Sequence, residues 1–166
     1  MNKKSILTKL ILISIIIWMI SCQNPTTVSL PLGVDLNTVQ LGKLEKSGLF
    51  ILNNDKIFTS QDSIIVKVKA NGLTIKEAKI KANIDFFLKK DDTILATQTN
   101  ILGVDGFSET ISGVSPTYIG SSGQADLMLT IIPPSETKGE LVANITLKDL
   151  NASGKLATFE TRFTVK

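Results

Sequence analysis

Ala78-Lys79-Ile80-Lys81-Ala82-Asn83-Ile84-Asp85-Phe86-Phe87-Leu88-Lys89 is the stretch on which the fold turns. Ala78, Ile80, Ala82, Ile84, Phe86 and Leu88 alternate without error, and Lys79, Lys81, Asn83 and Asp85 lie opposite. Successive side chains of an extended chain point to opposite faces, so this period of two predicts a half-buried β-strand. A helix competes for the same residues. Thr74 and Glu77 have capping-box spacing, and Ile80, Ile84, Phe87 and Leu88 would share one helix face. The strand is preferred because its alternation is longer and the flanking chain is rich in β signals.

Upstream, Ile64, Val66, Val68 and Ala70 face one way in Ser63–Ala70, Lys67 and Lys69 face the other, and Asn71-Gly72 is expected to break the strand. Gly48–Leu52 and Lys56–Thr59 are short apolar runs around Asn53-Asn54-Asp55, a turn composition. Downstream, Lys90-Asp91-Asp92 is a turn, Thr93–Ile101 a returning strand and Gly103–Gly106 a break. Phe107–Ile111 and Thr117–Ile119 are short strand candidates, followed by a turn at Ser121-Ser122-Gly123. Ala125, Leu127, Leu129 and Ile131 alternate until Pro133-Pro134 stops them. Leu141, Ala143, Ile145 and Leu147 form the next series, Asp149–Gly154 turns the chain, and Ala157, Phe159, Thr161, Phe163 and Val165 close it. Seven or more short strands, with turn signals about every 8–12 residues, predict an all-β fold built as a β-sandwich. There is no convincing internal repeat.

The N-terminus has a different character. Lys3, Lys4 and Lys9 precede an apolar run from Leu10 to Ile20, then Ser21 and Cys22. At about 1.5 Å per residue this run is too short to cross a hydrocarbon core of roughly 30 Å. Met19-Ile20-Ser21-Cys22 resembles the cleavage site of bacterial lipoproteins, in a relaxed form similar to that of spirochaete lipoproteins. The resemblance implies cleavage between Ser21 and Cys22 and a lipid on the Cys22 thiol. Two or three acyl chains would hold the protein on a membrane almost permanently. Gln23, in place of the aspartate that retains some lipoproteins at the inner membrane, points to the outer membrane. The chain then divides into a signal peptide (1–21), a lipidated cysteine with a flexible tether (22–36) and one domain (37–166). Asn24-Pro25-Thr26-Thr27, Pro31 and Gly33 give the tether its irregular composition.

A second resemblance covers roughly residues 60–166. Lys79-Ile80 through Asp85-Phe86-Phe87-Leu88-Lys89-Lys90-Asp91-Asp92-Thr93-Ile94-Leu95-Ala96-Thr97 is similar to the central hairpin of bacterial immunoglobulin-like domains. Ile145-Thr146-Leu147-Lys148-Asp149, with Asn151–Gly154 and Phe159–Val165, resembles their closing hairpin. The resemblance implies an adhesive, spacer or assembly module, hence binding rather than catalysis.

Composition narrows the function classes. Without residues 1–21 the chain has 145 residues, one domain of ordinary size. The net charge of +3 then disappears, because Lys3, Lys4 and Lys9 leave and 15 basic side chains face 15 acidic ones. The basic pI is therefore no argument for a nucleic-acid partner. Histidine, the commonest general base, is absent, and Cys22 is the only cysteine, so no disulfide can form within the chain. No catalytic elbow or phosphate-cradling loop is present. Ser135 and Lys138 have the spacing of serine acyl-enzymes, but Pro133-Pro134 and Gly139 around them indicate a turn rather than the required helix. Asp91-Asp92 and Asp149-Leu150-Asn151 offer oxygens to Ca²⁺, too few for the six to eight that ion takes, and read as turn residues. Asn24-Pro25-Thr26-Thr27 resembles one loop of chagasin-like protease inhibitors, whose other loop needs a Trp that the cleaved chain lacks.

Charge is unevenly spread. Lys67 to Lys90 holds seven lysines against Glu77 and Asp85, whereas Asp91 to Thr137 holds six acidic residues and no basic one. Neighbouring strands are expected to neutralise each other. The candidate contact patch is Phe87 with Lys79, Lys81 and Lys89, an aromatic among lysines on the polar side of its strand. The expectation is a non-enzymatic, lipid-anchored envelope protein with no cofactor or metal that binds a protein partner. A periplasmic accessory subunit docking through an exposed sheet edge is the second reading, and a small-ligand binder or enzyme the third.

Overall fold

Lys79–Lys90 is a strand, and the two residues before it explain why the helix loses. Glu77 (φ 53°) and Ala78 (φ 57°) are both left-handed. Lys76 and Lys79 exchange backbone hydrogen bonds across them, N to O, at 2.9 and 3.0 Å. Positive φ at both central residues is the type I′ hairpin turn, whose twist matches that of its strands. Glu77 therefore turns the chain instead of capping a helix.

The computed structural model describes residues 31–45 and 47–166. The predicted signal peptide, the cleavage pair Ser21 and Cys22, Asn24–Thr27 and residues 22–30 of the tether lie outside the described residues. Ten strands follow in order: β1 Gly33–Leu44, β2 Phe50–Leu52, β3 Ile57–Phe58, β4 Ile64–Ile75, β5 Lys79–Lys90, β6 Thr93–Gln98, β7 Phe107–Thr110, β8 Gly120–Ile131, β9 Gly139–Asp149 and β10 Leu156–Val165. No described residue is helical. One sheet has the order β2-β1-β4-β8, the other β3-β10-β9-β5-β6, with β7 also on β5. The core pairing of first, second and fifth strands in one layer, against third, sixth and seventh in the other, defines the immunoglobulin-like sandwich. Here β1-β4-β8 and β5-β9-β10 fill those places. One strand departs from the plan. The short β7 joins β5 in the second sheet, so β8 ends the first sheet with no strand beyond it among the described residues.

The inner faces meet as the alternation predicts. Ile64, Val66, Val68 and Ala70 of β4 and Leu127, Leu129 and Ile131 of β8 pack in one cluster with Ile80, Ile84 and Leu88 of β5, Leu141 and Ile145 of β9, and Phe163 of β10. Phe58 and Phe163 meet edge to face, their centroids 5.9 Å apart, a geometry that aromatic quadrupoles favour.

Four expectations need correction. Asn71-Gly72 does not end its strand: β4 continues to Ile75, with register shifts on either side of Leu73 and Gly72 at φ 74°. Ser121-Ser122-Gly123 is not a turn but part of β8. Gly123 is there for space, since a Cβ would fall 2.5 Å from the Ile80 side chain and 2.9 Å from the Leu73 carbonyl oxygen. Thr117–Ile119 forms no strand. The returning strand after Asp92 stops at Gln98 rather than Ile101. In addition β1 begins at Gly33, so residues 33–36 of the stretch read as tether are already strand, and Leu32 before them is buried.

Candidate interaction surfaces

The four residues of the predicted patch share one face of β5 but do not form one surface. Asn83 sits between them on that face and is only 1% exposed. Its Nδ2 donates to the Gly103 carbonyl (2.8 Å), and its Oδ1 accepts from the Leu102 amide (3.2 Å). The Asn100 amide likewise donates to Asp85 Oδ1 at 2.8 Å. The β6–β7 connection is thus fastened over the middle of β5. Lys79 and Lys81 lie on one side of it, paired with Thr110 and Ser108 of β7. Phe87 and Lys89 lie on the other, with the Lys89 amine 5.0 Å from the Phe87 ring centre. Beside them Asp85 and Lys148 form an ion pair at 2.6 Å. Phe87, an aromatic on the polar side of its strand, is consistent with a face covered near a crossing loop, and the loop lies over Asn83 and Asp85 beside it.

The outer face of the other sheet holds an apolar group that alternation did not pick out. Gly42 of β1, Ile65 of β4 and Thr130 of β8 form one row, with Leu52 next to Gly42. Gly42 is required here: a Cβ would lie 2.7 Å from the Phe50 ring and closer still to the Ile51 carbonyl. Phe50 therefore lies over β1, and the Lys67 amine caps its ring at 4.9 Å from the centroid. Ile65, although on the outer face, is 1% exposed. Around it Leu44, Leu52, Met128 and Ile132 remain exposed. Contiguous exposed apolar side chains on a soluble domain mark interaction sites. The sequence did carry a trace of this, in the unbroken runs Ile64-Ile65-Val66 and Leu49-Phe50-Ile51-Leu52, where one-sided strands would alternate.

A second feature lies at the open edge of β8. A groove of about 450 Å³ separates it from β7, lined by Lys69, Phe107, Glu109, Gln124, Ala125 and Asp126. Glu109 is opposite Ile80 and Phe107 opposite Ala82, so both point toward the first sheet. The lysines of β5 point the other way, while Lys69 of β4, directly opposite Asp126 as expected of oppositely charged neighbouring strands, lines the same groove.

Of the candidate calcium residues, Asp149 and Asn151 are engaged in holding the sandwich together. Asp149 is buried; its Oδ2 accepts from the Thr74 amide (2.8 Å) and its Oδ1 from the Asn151 amide (3.0 Å). Asn151 Nδ2 donates to the carbonyls of Thr74 and Lys79, and Lys155 Nζ to that of Gly72 at 2.6 Å. The β9–β10 turn thereby clasps the ends of β4 and β5. Asp91 occupies a left-handed position in the β5–β6 turn. Among the described residues no three His, Cys, Asp or Glu side chains gather where they could hold a metal. Ser135 and Lys138 lie in the β8–β9 connection, where Thr137 donates to Pro134 and Glu136 has φ 69°, not on a helix.

Two charged groups are displaced from their ordinary pKa. The Thr59 amide donates to Asp62 Oδ2 at 2.8 Å, and this, with Lys43 at 3.5 Å, holds the Asp62 carboxyl below the usual range. Glu160 and Glu140 bond the Arg162 guanidinium at 2.7 and 3.1 Å and raise its pKa.

No protein family matches the chain, and no curated protein matches it. Among solved structures it is similar to the CARDB domain of a Pyrococcus furiosus protein, described in complex with di-metal ions. The identity is 12% and the TM-score 0.33, over 82% of this chain and 93% of that one.

Proposed function

We propose that the chain is a membrane-anchored lipoprotein of the bacterial envelope that presents a non-catalytic β-sandwich to a protein partner, in adhesion or another surface interaction. The observation that carries this is the apolar group Leu44, Phe50, Leu52, Met128 and Ile132 on the outer face of the β2-β1-β4-β8 sheet. Its position relative to the tether supports the same reading. The chain reaches β1 at Gly33, opposite Asn71, whereas Leu44 is at the far end of that strand. The partners of Gly33 and Lys43 on β4, Asn71 and Ile64, are seven steps apart, so at about 3.3 Å a step the two ends of β1 lie roughly 23 Å apart. A lipid on Cys22 would thus attach at one end of the sandwich and leave the apolar group at the other. The lipobox resemblance supplies the anchor and the outer-membrane expectation.

The test is site-specific photo-crosslinking in intact cells, with the photo-reactive residue at Leu44, Leu52 or Met128 and, as control, at Thr158 on the opposite sheet. A discrete adduct from the first three but not from Thr158 is the expected result. No adduct, or equal adducts from both sheets, would remove the apolar face as the binding surface. Protease shaving of intact against lysed cells then separates a surface partner from a periplasmic one.

A further inference from the structure

We propose that the cleft between β7 and β8 takes an extended, basic segment of a partner protein, which adds to β8 as a further strand. Two independent observations converge on this. The first is the edge itself. β8 is twelve residues long and pairs only with β4 among the described residues. The immunoglobulin plan sets another strand beside this one, but β7 has gone to β5 instead. A row of backbone donors and acceptors at a sheet edge is complementary to another extended chain, which is how β-augmentation gains its affinity.

The second is the groove beside the edge. Its volume of about 450 Å³ suits a few residues of peptide, and Phe107 and Ala125 give it an apolar floor. Its charge selects the occupant. Glu109 and Asp126 face it against the single ammonium of Lys69. No basic residue lies between Asp91 and Thr137, the stretch that supplies both walls. Lys79 and Lys81, the nearest lysines on β5, are opposite Thr110 and Ser108 and so project from the other face. Lys69 is directly opposite Asp126 and balances it, whereas Glu109 has no ion pair among the described residues; a segment alternating Lys or Arg with β-branched residues meets both the edge and this charge. This site uses the edge of β8 rather than its outer face, meets the apolar group proposed above only at Met128, and does not depend on a lipid at Cys22.

The experiment is selection of displayed random dodecapeptides on the full-length protein in detergent, with hydrogen exchange to locate binding. Enriched peptides should be basic and free of central proline, and should slow exchange of the Gln124–Thr130 amides. Their affinity should fall about tenfold or more for the Glu109→Lys/Asp126→Lys variant, and fall with added salt. If that variant does not fold, Glu109→Gln/Asp126→Asn should show a smaller loss in the same direction. Leu44→Ser/Leu52→Ser, which alters the other surface, should leave this binding unchanged, so the two proposals fail separately. Failure to enrich peptides, indifference to charge, or protection away from β8 would overturn the proposal.

Discussion

Asp149 illustrates how a residue's surroundings decide its role. In the sequence it resembles a metal ligand or a turn former; in the fold it is a buried carboxylate accepting from the Thr74 and Asn151 amides, 3.9 Å from Lys155. Removing it would leave the Thr74 and Asn151 amides without their acceptor and take a counter-charge from Lys155, which keeps its bond to the Gly72 carbonyl. Asp149→Ala should therefore cost about 3 kcal/mol, measurable by urea denaturation, whereas chelator should not change the melting temperature. Asp62 gives a pH signature. Its folded pKa lies below its unfolded one because the Thr59 amide and Lys43 favour the carboxylate. Its stabilising contribution is thus complete above the unfolded value of about 3.9 and is lost as pH falls through the lower folded value. The stability difference between wild type and Asp62→Asn should be constant at neutral pH and vanish in that acid window. Neither partner of these two aspartates was legible, because Thr74 is 75 residues from Asp149, and Thr59 acts through its backbone rather than its side chain.

Elements were legible where one face is apolar and the other polar. β5, β8, β9 and β10 announce themselves through Ile80 to Leu88, Ala125 to Ile131, Leu141 to Leu147 and Phe159 to Val165, because each buries alternate residues. The errors cluster where glycine has two meanings. At Gly72 and Gly123 it permits a register shift and a close approach inside strands, and nothing local separates those uses from a turn. The β4–β5 turn offers a direct check at this scale. Glu77 occupies a left-handed position without the side chain that suits it. Glu77→Asn should raise stability by about 0.5 kcal/mol in thermal or chemical unfolding, with β5 unchanged. The outer-face group around Ile65 escaped notice for the opposite reason. Its members come from β1, β2, β4 and β8, and only the register brings them into one row.

For the whole molecule, the sandwich followed from alternation and the spacing of turns, while its two candidate surfaces followed from how the sheets end and what they leave uncovered. The lipid anchor is tested at this scale. Wild-type protein should partition into the detergent phase of a Triton X-114 separation, and Cys22→Ala should move to the aqueous phase with its fold intact. The placement of β1 has a mechanical consequence. Its seven paired positions with β4 run from Gly33 to Lys43, parallel to the line joining the tether's end to the apolar face. A pull between the membrane and a partner held there would load these hydrogen bonds together, in shear, rather than one after another. The ladder is interrupted between Asp35 and Gln40. The three pairs nearest the tether therefore form a short segment that would yield first under tension, lengthening the leash while the remaining four keep the sandwich closed.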